Sequence, residues 1–198
     1  MNEEQTWILQ AQNGDDDAFT CLVEIYQTPV YNLCYRMLGE PEAAEDAAQE
    51  TFLRAYQNLL RYDRTRPFAT WLLSIAAHYC IDRLRRRKFA LVSIEDDESD
   101  EVTFPDPTAI DPEAEIERRQ EKEQLHIILC RLEATDRAAV ILRYWYDFSE
   151  AEIAESLRLT IPAVKSRLHR ARRQMAKLWL EASPKTSLER IPHESPAF

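Results

Sequence analysis

The sequence predicts an all-α chain: two small helical domains joined by a flexible acidic linker. Three observations predict it. Gly14 and Gly39 are the only glycines among 198 residues, and the chain is rich in the Ala, Leu, Glu and Arg that favour helices. Apolar residues recur at spacings of three and four, the period of a helix with one buried face. That pattern lapses in one place. From Leu91 to Glu117 there are eleven acidic residues and no basic one, and Pro105, Pro107 and Pro112 interrupt the stretch. Such composition reads as an extended linker. The predicted organisation is a first domain over 1–90, a linker over 91–112, a second domain over 113–181 and a disordered tail over 182–198.

Each element has a local cause. TWILQAQN (6–13) reads as the body of a short first helix, ended by Gly14. Asp15, Asp16 and Asp17 offer an N-cap and favourable first-turn charge to the next helix. Phe19, Leu22, Val23 and Tyr26 give that helix a face, Pro29 is expected to bend or split it, and Gly39 stops it. Pro41 opens a third helix at a position where its missing N–H does no harm. Ala44, Ala47, Ala48, Phe52, Ala55 and Tyr56 form its apolar stripe, and it ends near Leu60. After the polar, basic loop RYDRTR (61–66), Pro67 starts a helix to about Lys88 whose first half is apolar and second half basic. In the second domain, helices are predicted from Pro112 to about Glu133 and over 135–146. Ser149 and Glu152 form a capping box for a short helix to Leu157. Thr160 caps the last helix, 161–181.

The net charge is −10, yet charge is segregated. Residues 61–90 carry eight basic and two acidic side chains, and 158–177 carry seven basic and no acidic ones. These islands total +13, which leaves −23 for the rest of the chain. Local distribution, more than the sum, decides nucleic-acid binding. The acidic remainder is able to fold back on the islands and suppress DNA binding in the free protein. With two glycines there is no glycine cluster to cradle a nucleotide phosphate. Cys21, Cys34, Cys80 and Cys130 are scattered without a C-x-x-C, and the four histidines without an H-x-x-x-H. The thiols read as reduced members of a cytoplasmic core, with no metal and no cofactor. No secretion signal begins the sequence and no apolar run nears the roughly 20 residues of a membrane span, so a cytoplasmic location is expected.

Two helices separated by Arg158-Leu159-Thr160 fit a helix-turn-helix. Ile153, Leu157, Leu159, Val164 and Leu168 are its inward positions, and Ala154 allows close approach of the helices. On the second helix Val164, Leu168, Ala171, Met175 and Leu178 follow a 4, 3, 4, 3 spacing, one buried stripe. The opposite surface shows Lys165, Ser166, Arg167, His169, Arg170, Arg172 and Arg173. A solvated face normally mixes signs; an acid-free face suits the phosphates and base edges of a duplex. Arg158 occupies the turn position where glycine is common, at a cost of about 1 kcal/mol if the backbone there is left-handed.

In the first domain, Tyr62, Phe68, Trp71 and Tyr79 are interleaved with the basic loop and with RLRRRK (83–88), a mixture suited to single-stranded nucleic acid. Trp71 and Leu72 read as core; the loop and the arginines read as functional. On helix 41–60, Asp46, Gln49, Glu50 and Arg54 share a side, and the pattern alone leaves a solvated face and a docking surface equally open.

DAAQETFLRAYQ (46–57), RPFATWLLSIA (66–76), IDRLRRRK (81–88) and VKSRLHRARRQM (164–175), in this order and spacing, resemble bacterial RNA polymerase sigma factors of the extracytoplasmic-function (ECF, group IV) family over about residues 15–180. YNLCYRMLGEPEAAEDAAQE (31–50) resembles the cell-envelope-stress members of Gram-positive bacteria. The resemblance implies sigma region 2 in the first domain and sigma region 4 in the second. It implies an alternative sigma factor, free of catalysis, monomeric when free, that binds core RNA polymerase through the β′ clamp helices and the β flap. Promoter DNA of a stress regulon and an anti-sigma protein are the other implied partners. By position, the β′ surface falls on Asp46, Gln49, Glu50, Phe52 and Arg54. The −10 contacts fall on Asp63, Arg64, Thr65, Arg66, His78, Arg83 and Arg86, and the −35 contacts on Lys165, Ser166, Arg167, His169, Arg170 and Arg173. His78 departs from the family, which commonly has Asn there, and an imidazole lacks the carboxamide's paired donor and acceptor. The rival reading is a conventional helix-turn-helix regulator with a helical sensor domain, which leaves 46–57 and 61–88 unexplained.

Overall fold

A computed structural model describes residues 3–91 and 112–182, all helix, turn and loop. The predicted linker 91–112 and tail 182–198 lie outside the described residues except for Leu91, Pro112 and Ala182. Eight α-helices follow in order: α1 (Glu3–Gln12), α2 (Asp16–Leu38), α3 (Pro41–Asn58), α4 (Phe68–Leu91), α5 (Pro112–Cys130), α6 (Ala134–Trp145), α7 (Glu150–Ser156) and α8 (Ile161–Ala182). A 3-10 turn, Leu59–Arg61, ends α3.

The predicted caps are in place. Asp15, in extended conformation, accepts from the Ala18 N–H at 3.0 Å. Gly39 closes α2 at φ +90° and donates to the Tyr35 carbonyl at 2.9 Å. A side chain at Gly39 would strain the backbone, and its Cβ would stand 3.0 Å from His126 Nε2, so two constraints hold glycine there. The expected split at Pro29 is absent: α2 runs without interruption through it. Interior proline removes one ladder hydrogen bond, and Leu22, Val30 and Leu33, buried before and after it, hold the helix continuous.

The first four helices pack around α2. Ala44, Ala47, Ala48 and Ala55 are buried on α3 and let its backbone come close to α2. Thr51, also buried, satisfies its hydroxyl by donating to the Ala47 carbonyl at 2.7 Å. Leu22, Val30, Leu33, Met37, Leu72 and Ala76 fill the centre. In the second half α6, α7 and α8 enclose Ile141, Leu142, Ile153, Val164 and Leu168.

The two halves also touch, α2 against α5 and α6, and α4 against α6 and α7, and their buried residues form one continuous core. At this contact Tyr146 Oη donates to the Pro29 carbonyl at 2.6 Å, and the Arg36 guanidinium lies 5.2 Å from the Trp145 ring centre. His126 stacks on Tyr35 with ring centres 5.4 Å apart. Arg137, 5% exposed, reaches across to the carbonyl of Met37 at the end of α2 and binds those of Cys130 and Leu132 after α5. Helix C-termini carry partial negative charge, which is what a guanidinium buried without a carboxylate requires. Burial still draws its pKa below the ordinary value.

Replacing Arg137 by Met keeps an apolar stem and strands these carbonyls. The expected loss is about 2–4 kcal/mol of unfolding free energy, read from the urea midpoint. An unchanged midpoint would mean that water satisfies the carbonyls equally well.

Candidate nucleic-acid interface

The second half forms the predicted helix-turn-helix from α7 and α8. Ser149 Oγ accepts from the Glu152 N–H at 3.2 Å while the Glu152 carboxylate accepts from the Ser149 N–H at 2.8 Å, a complete capping box. Arg158 does take the left-handed conformation, φ +54°. The Leu159 N–H then closes on the Ala154 carbonyl at 2.7 Å, the bond pattern of a Schellman stop. Thr160 Oγ1 accepts from the Ala163 N–H at 3.3 Å and starts α8. Val164, Leu168 and Ala171 are buried and Met175 and Leu178 half-buried, so the predicted stripe faces the core.

On the other side of α8, Lys165, Ser166, His169, Arg170 and Arg173 are exposed. Lys165 Nζ lies 3.5 Å from Glu150. Arg167 is half-buried, held 2.5 Å from Asp136 and 3.2 Å from Glu133. Arg170 also binds Asp136, through Nε at 3.1 Å and Nη2 at 3.0 Å. Asp136 is 3% exposed. The sequence reading missed it, because a charged residue two positions into a helix reads as a first-turn charge.

In the first half, the loop after the 3-10 turn is built on Asp63. Its carboxylate accepts from the Thr65 N–H at 3.0 Å, and its carbonyl from the Arg66 N–H at 3.2 Å. The Thr65 hydrogen bonds hold the Asp63 carboxyl below the usual carboxylate range. Tyr62 Oη donates to the Arg66 carbonyl, and burial pushes its pKa up to about 12. Gln12 ties α1 to the turn by donating to the carbonyls of Leu59 at 2.9 Å and Tyr62 at 3.2 Å. Tyr62, Phe68 and Trp71 cluster with ring centres 4.9–5.5 Å apart. Tyr62 and Phe68 are buried, so they serve as the loop's floor and cannot act as stacking platforms; Leu72 is core as predicted. Beside this floor lies a cleft of about 460 Å³, walled by Glu4, Gln5, Ile8 and Leu9 of α1, by Tyr26, and by Arg64 and Arg66. The contribution of α1 carried no sequence signal.

His78 Nδ1 lies 2.9 Å from the Ser74 carbonyl. That acceptor requires the proton on Nδ1, which leaves Nε2 as an acceptor in the neutral ring. Arg83 pairs with Asp46 at 3.6 Å and Arg87 with Glu40 at 2.5 Å, while Arg86 lines a second cleft with Arg83, Arg87, Glu40 and Leu84. Arg66 is paired with Glu155 of α7, so the loop touches the helix-turn-helix.

On α3, Asp46 and Gln49 are exposed, Glu50 binds Arg54 at 2.6 Å, and Arg54 lies 4.8 Å over the Tyr79 ring. Phe52 packs against the core; the outward apolar groups are Leu53, 52% exposed, and Tyr56, 47% exposed. Cys34 and Cys80 are buried free thiols, and the Cys34 contact together with burial holds the Cys80 thiol well above its ordinary pKa. Among the described residues no group of three His, Cys, Asp or Glu could hold a metal ion, and no helix is long and apolar enough to cross a membrane.

Two helical units, the second a helix-turn-helix with an acid-free face, define a class that the comparisons resolve. Residues 22–90 match Sigma-70 region 2 and residues 122–175 match Sigma-70, region 4. The ECF RNA polymerase sigma factor SigW of Bacillus subtilis is 36% identical over 174 residues, 86% of this chain and 93% of that protein. The RNA polymerase sigma-H factor of Pseudomonas aeruginosa is 30% identical, over 89% of this chain and 94% of its own. In fold, the chain is similar to the sigma factor RpoE of Bartonella quintana, solved with the anti-sigma factor NepR (TM-score 0.65, 20% identity, 84% and 98% of the two chains). It is likewise similar to CnrH solved with the cytosolic domain of CnrY (TM-score 0.66, 22% identity, 92% and 100%). The chain is a sigma-70 protein, and it belongs to the ECF sigma factors. As such it is an alternative sigma factor that binds core RNA polymerase and promoter DNA and directs transcription; the conventional-regulator alternative is not favoured.

Two outcomes follow from the turn and the cap. Arg158→Gly relieves the left-handed strain and is expected to raise stability by about 0.5–1 kcal/mol, measurable as a higher thermal midpoint. Hydrogen bonds from Ser149 lower the Glu152 pKa from its ordinary 4.5. A carboxyl lowered on folding contributes stability above the ordinary range and loses it as pH falls through the folded value. Glu152→Gln keeps the box but cannot ionise. Its melting temperature is expected below wild type at neutral pH and to converge with it in acid.

Proposed function

We propose that the chain divides its work as follows. Residues 1–90 act as region 2 and 113–181 as region 4, joined through 91–112. The exposed face of α3, Asp46, Gln49, Glu50 and Arg54 with Leu53 and Tyr56, docks on the β′ clamp helices, with Phe52 supporting it from the core side. Asp63, Arg64, Thr65 and Arg66 take an unstacked base of the −10 element into the cleft beside them. His78, Arg83 and Arg86 track the same strand. Lys165, Ser166, His169, Arg170 and Arg173, together with Arg167, meet the −35 element in the major groove, and region 4 also meets the β flap. The observation that carries this reading is the cleft of about 460 Å³ at the basic loop. Its arginine rim suits a nucleic-acid backbone and its apolar, aromatic-floored wall suits a base. An anti-sigma partner and a stress regulon are supported by the complexes solved for the fold's relatives and by the resemblance of residues 31–50.

Promoter opening needs no catalysis in this scheme. Each flipped base costs a few kcal/mol, returned by the pocket and its hydrogen bonds. The described arrangement is a closed one. Elements centred near −10 and −35 lie roughly 25 base pairs apart, about 85 Å along B-form DNA. Arg66 and Glu155, from the two reading units, are in contact. Reading both elements at once therefore requires the halves to part, and the free monomer in its closed form is a poor promoter binder.

Run-off transcription with core polymerase on a randomised promoter library is expected to enrich one two-element promoter class, and the same library offered to the protein alone to enrich none. Failure to enrich any promoter with polymerase overturns the reading; tight specific selection by the free chain overturns the closed form.

A further inference from the structure

We infer that Asp136 is a specificity-determining positioning residue for the −35 reader: it fixes the guanidinium of Arg170 in the orientation from which it meets a base. This rests on the reading of Arg170 as a −35 contact. Asp136 lies near the N-terminus of α6, and its carboxylate is 3% exposed as part of the residue. It collects Arg167 Nη1 at 2.5 Å and Arg170 Nη2 at 3.2 Å on Oδ1, and Arg170 Nε at 3.1 Å and Nη2 at 3.0 Å on Oδ2. Glu133, which caps α6 by accepting from the Thr135 and Asp136 N–H groups at 3.1 and 3.3 Å, takes Arg167 Nη1 as well, at 3.2 Å. Arg167 is thereby held by two carboxylates and left 29% exposed.

Arg170 is different. Its side chain is 59% exposed, and the bond to Asp136 uses the Nε side of the fork. Nη2 is shared between both carboxylate oxygens, and Nη1, which the carboxylate does not bind, is the donor left for the duplex. A guanidinium N–H held in one place can donate to the O6 or N7 of guanine in the major groove. A fork held on one edge has little rotamer freedom to lose on the other, so it discriminates more sharply than a free chain.

A mask would show different geometry. The contacts that join the two halves, such as Arg66 with Glu155, must break when the halves part. Asp136 and Arg170 belong to the same half, so their bond survives that opening and travels with α8 to the duplex. Pulling the arginines away would leave a buried carboxylate unpaired, which is strongly unfavourable.

The test reconstitutes core polymerase with full-length wild type, Asp136→Asn, Arg170→Ala and the double variant. Each holoenzyme is run on promoters varied singly at each −35 and −10 position, and thermal melts accompany each protein. Asp136→Asn is expected to lower the preference for the favoured −35 base about tenfold at the one or two positions where Arg170→Ala lowers it. It leaves −10 preference unchanged, and the double variant loses no more than Arg170→Ala alone. Should Asp136→Asn fail to fold, Asp136→Glu, which keeps the charge and shifts the fork by one methylene, is expected to lose −35 preference at the same positions. An undiminished preference in the Asp variants beside a lost one in Arg170→Ala overturns the inference and leaves the −35 reading intact. So does higher affinity for every sequence, the mark of a mask, or a uniform loss with a lower melting temperature, the mark of a merely structural residue. Unchanged preference in Arg170→Ala overturns the −35 reading itself.

Discussion

A buried guanidinium whose hydrogen bonds all go to main-chain carbonyls sits at the contact between the two halves, and most of the arrangement can be traced from it. Arg137 is held by main-chain carbonyls at the ends of α2 and α5, so it can be buried only where those ends converge. Convergence in turn asks for Gly39, because any side chain there would meet His126. The residue before it, Asp136, faces the opposite way and gathers Arg167 and Arg170. One turn of α6 thus anchors the second half to the first with a cation and orders the recognition helix with an anion.

Segregated charge explains how a protein of net charge −10 presents nucleic-acid-binding faces. The acids lie close to the basic side chains they steady: Asp46 beside Arg83, Glu40 beside Arg87, Glu150 beside Lys165. Pairs this exposed contribute roughly 0–1 kcal/mol each. They orient long side chains and weakly discourage non-specific DNA binding while leaving the basic faces able to exchange a carboxylate for a phosphate.

Much of this was legible in the sequence because its causes are local. Asp15, Gly39, Pro41, Ser149 with Glu152, and Thr160 mark helix ends by chemistry confined to a few residues, and the spacing of Val164, Leu168 and Ala171 declares a buried face. What was not legible depends on partners distant in the chain. Asp136 is separated from Arg170 by 34 positions and Arg137 from Met37 by 100, and no periodicity connects them. Phe52 and Leu53 are adjacent and both apolar; which one faces outward follows from the rotation of α3 on α2, and the pattern of alanines fixed that only approximately. Pro29 was expected to bend or split α2 on a local rule, and the helix does not split. The aromatics of the basic loop had a correct composition for binding bases, but Tyr62 and Phe68 went to the floor of the site, where α1 closes the wall.

The way the halves are held says how polymerase can open them. The charge pair between the reading units, Arg66 with Glu155, is about half exposed on both sides and contributes little. The contact persists through buried apolar surface and through Arg137, neither of which salt screens effectively. DNA phosphates alone, competing only for exposed arginines, are therefore poorly equipped to separate the halves. The outward face of α3 is a different case. That helix packs mainly on α2 and α4 within the first half, and its face stays exposed while the protein is closed. On the docking role proposed for this face, polymerase binds there first and supplies binding free energy before any promoter contact exists. In that proposal opening is a consequence of docking, and the order polymerase before promoter matches which surfaces the fold leaves uncovered.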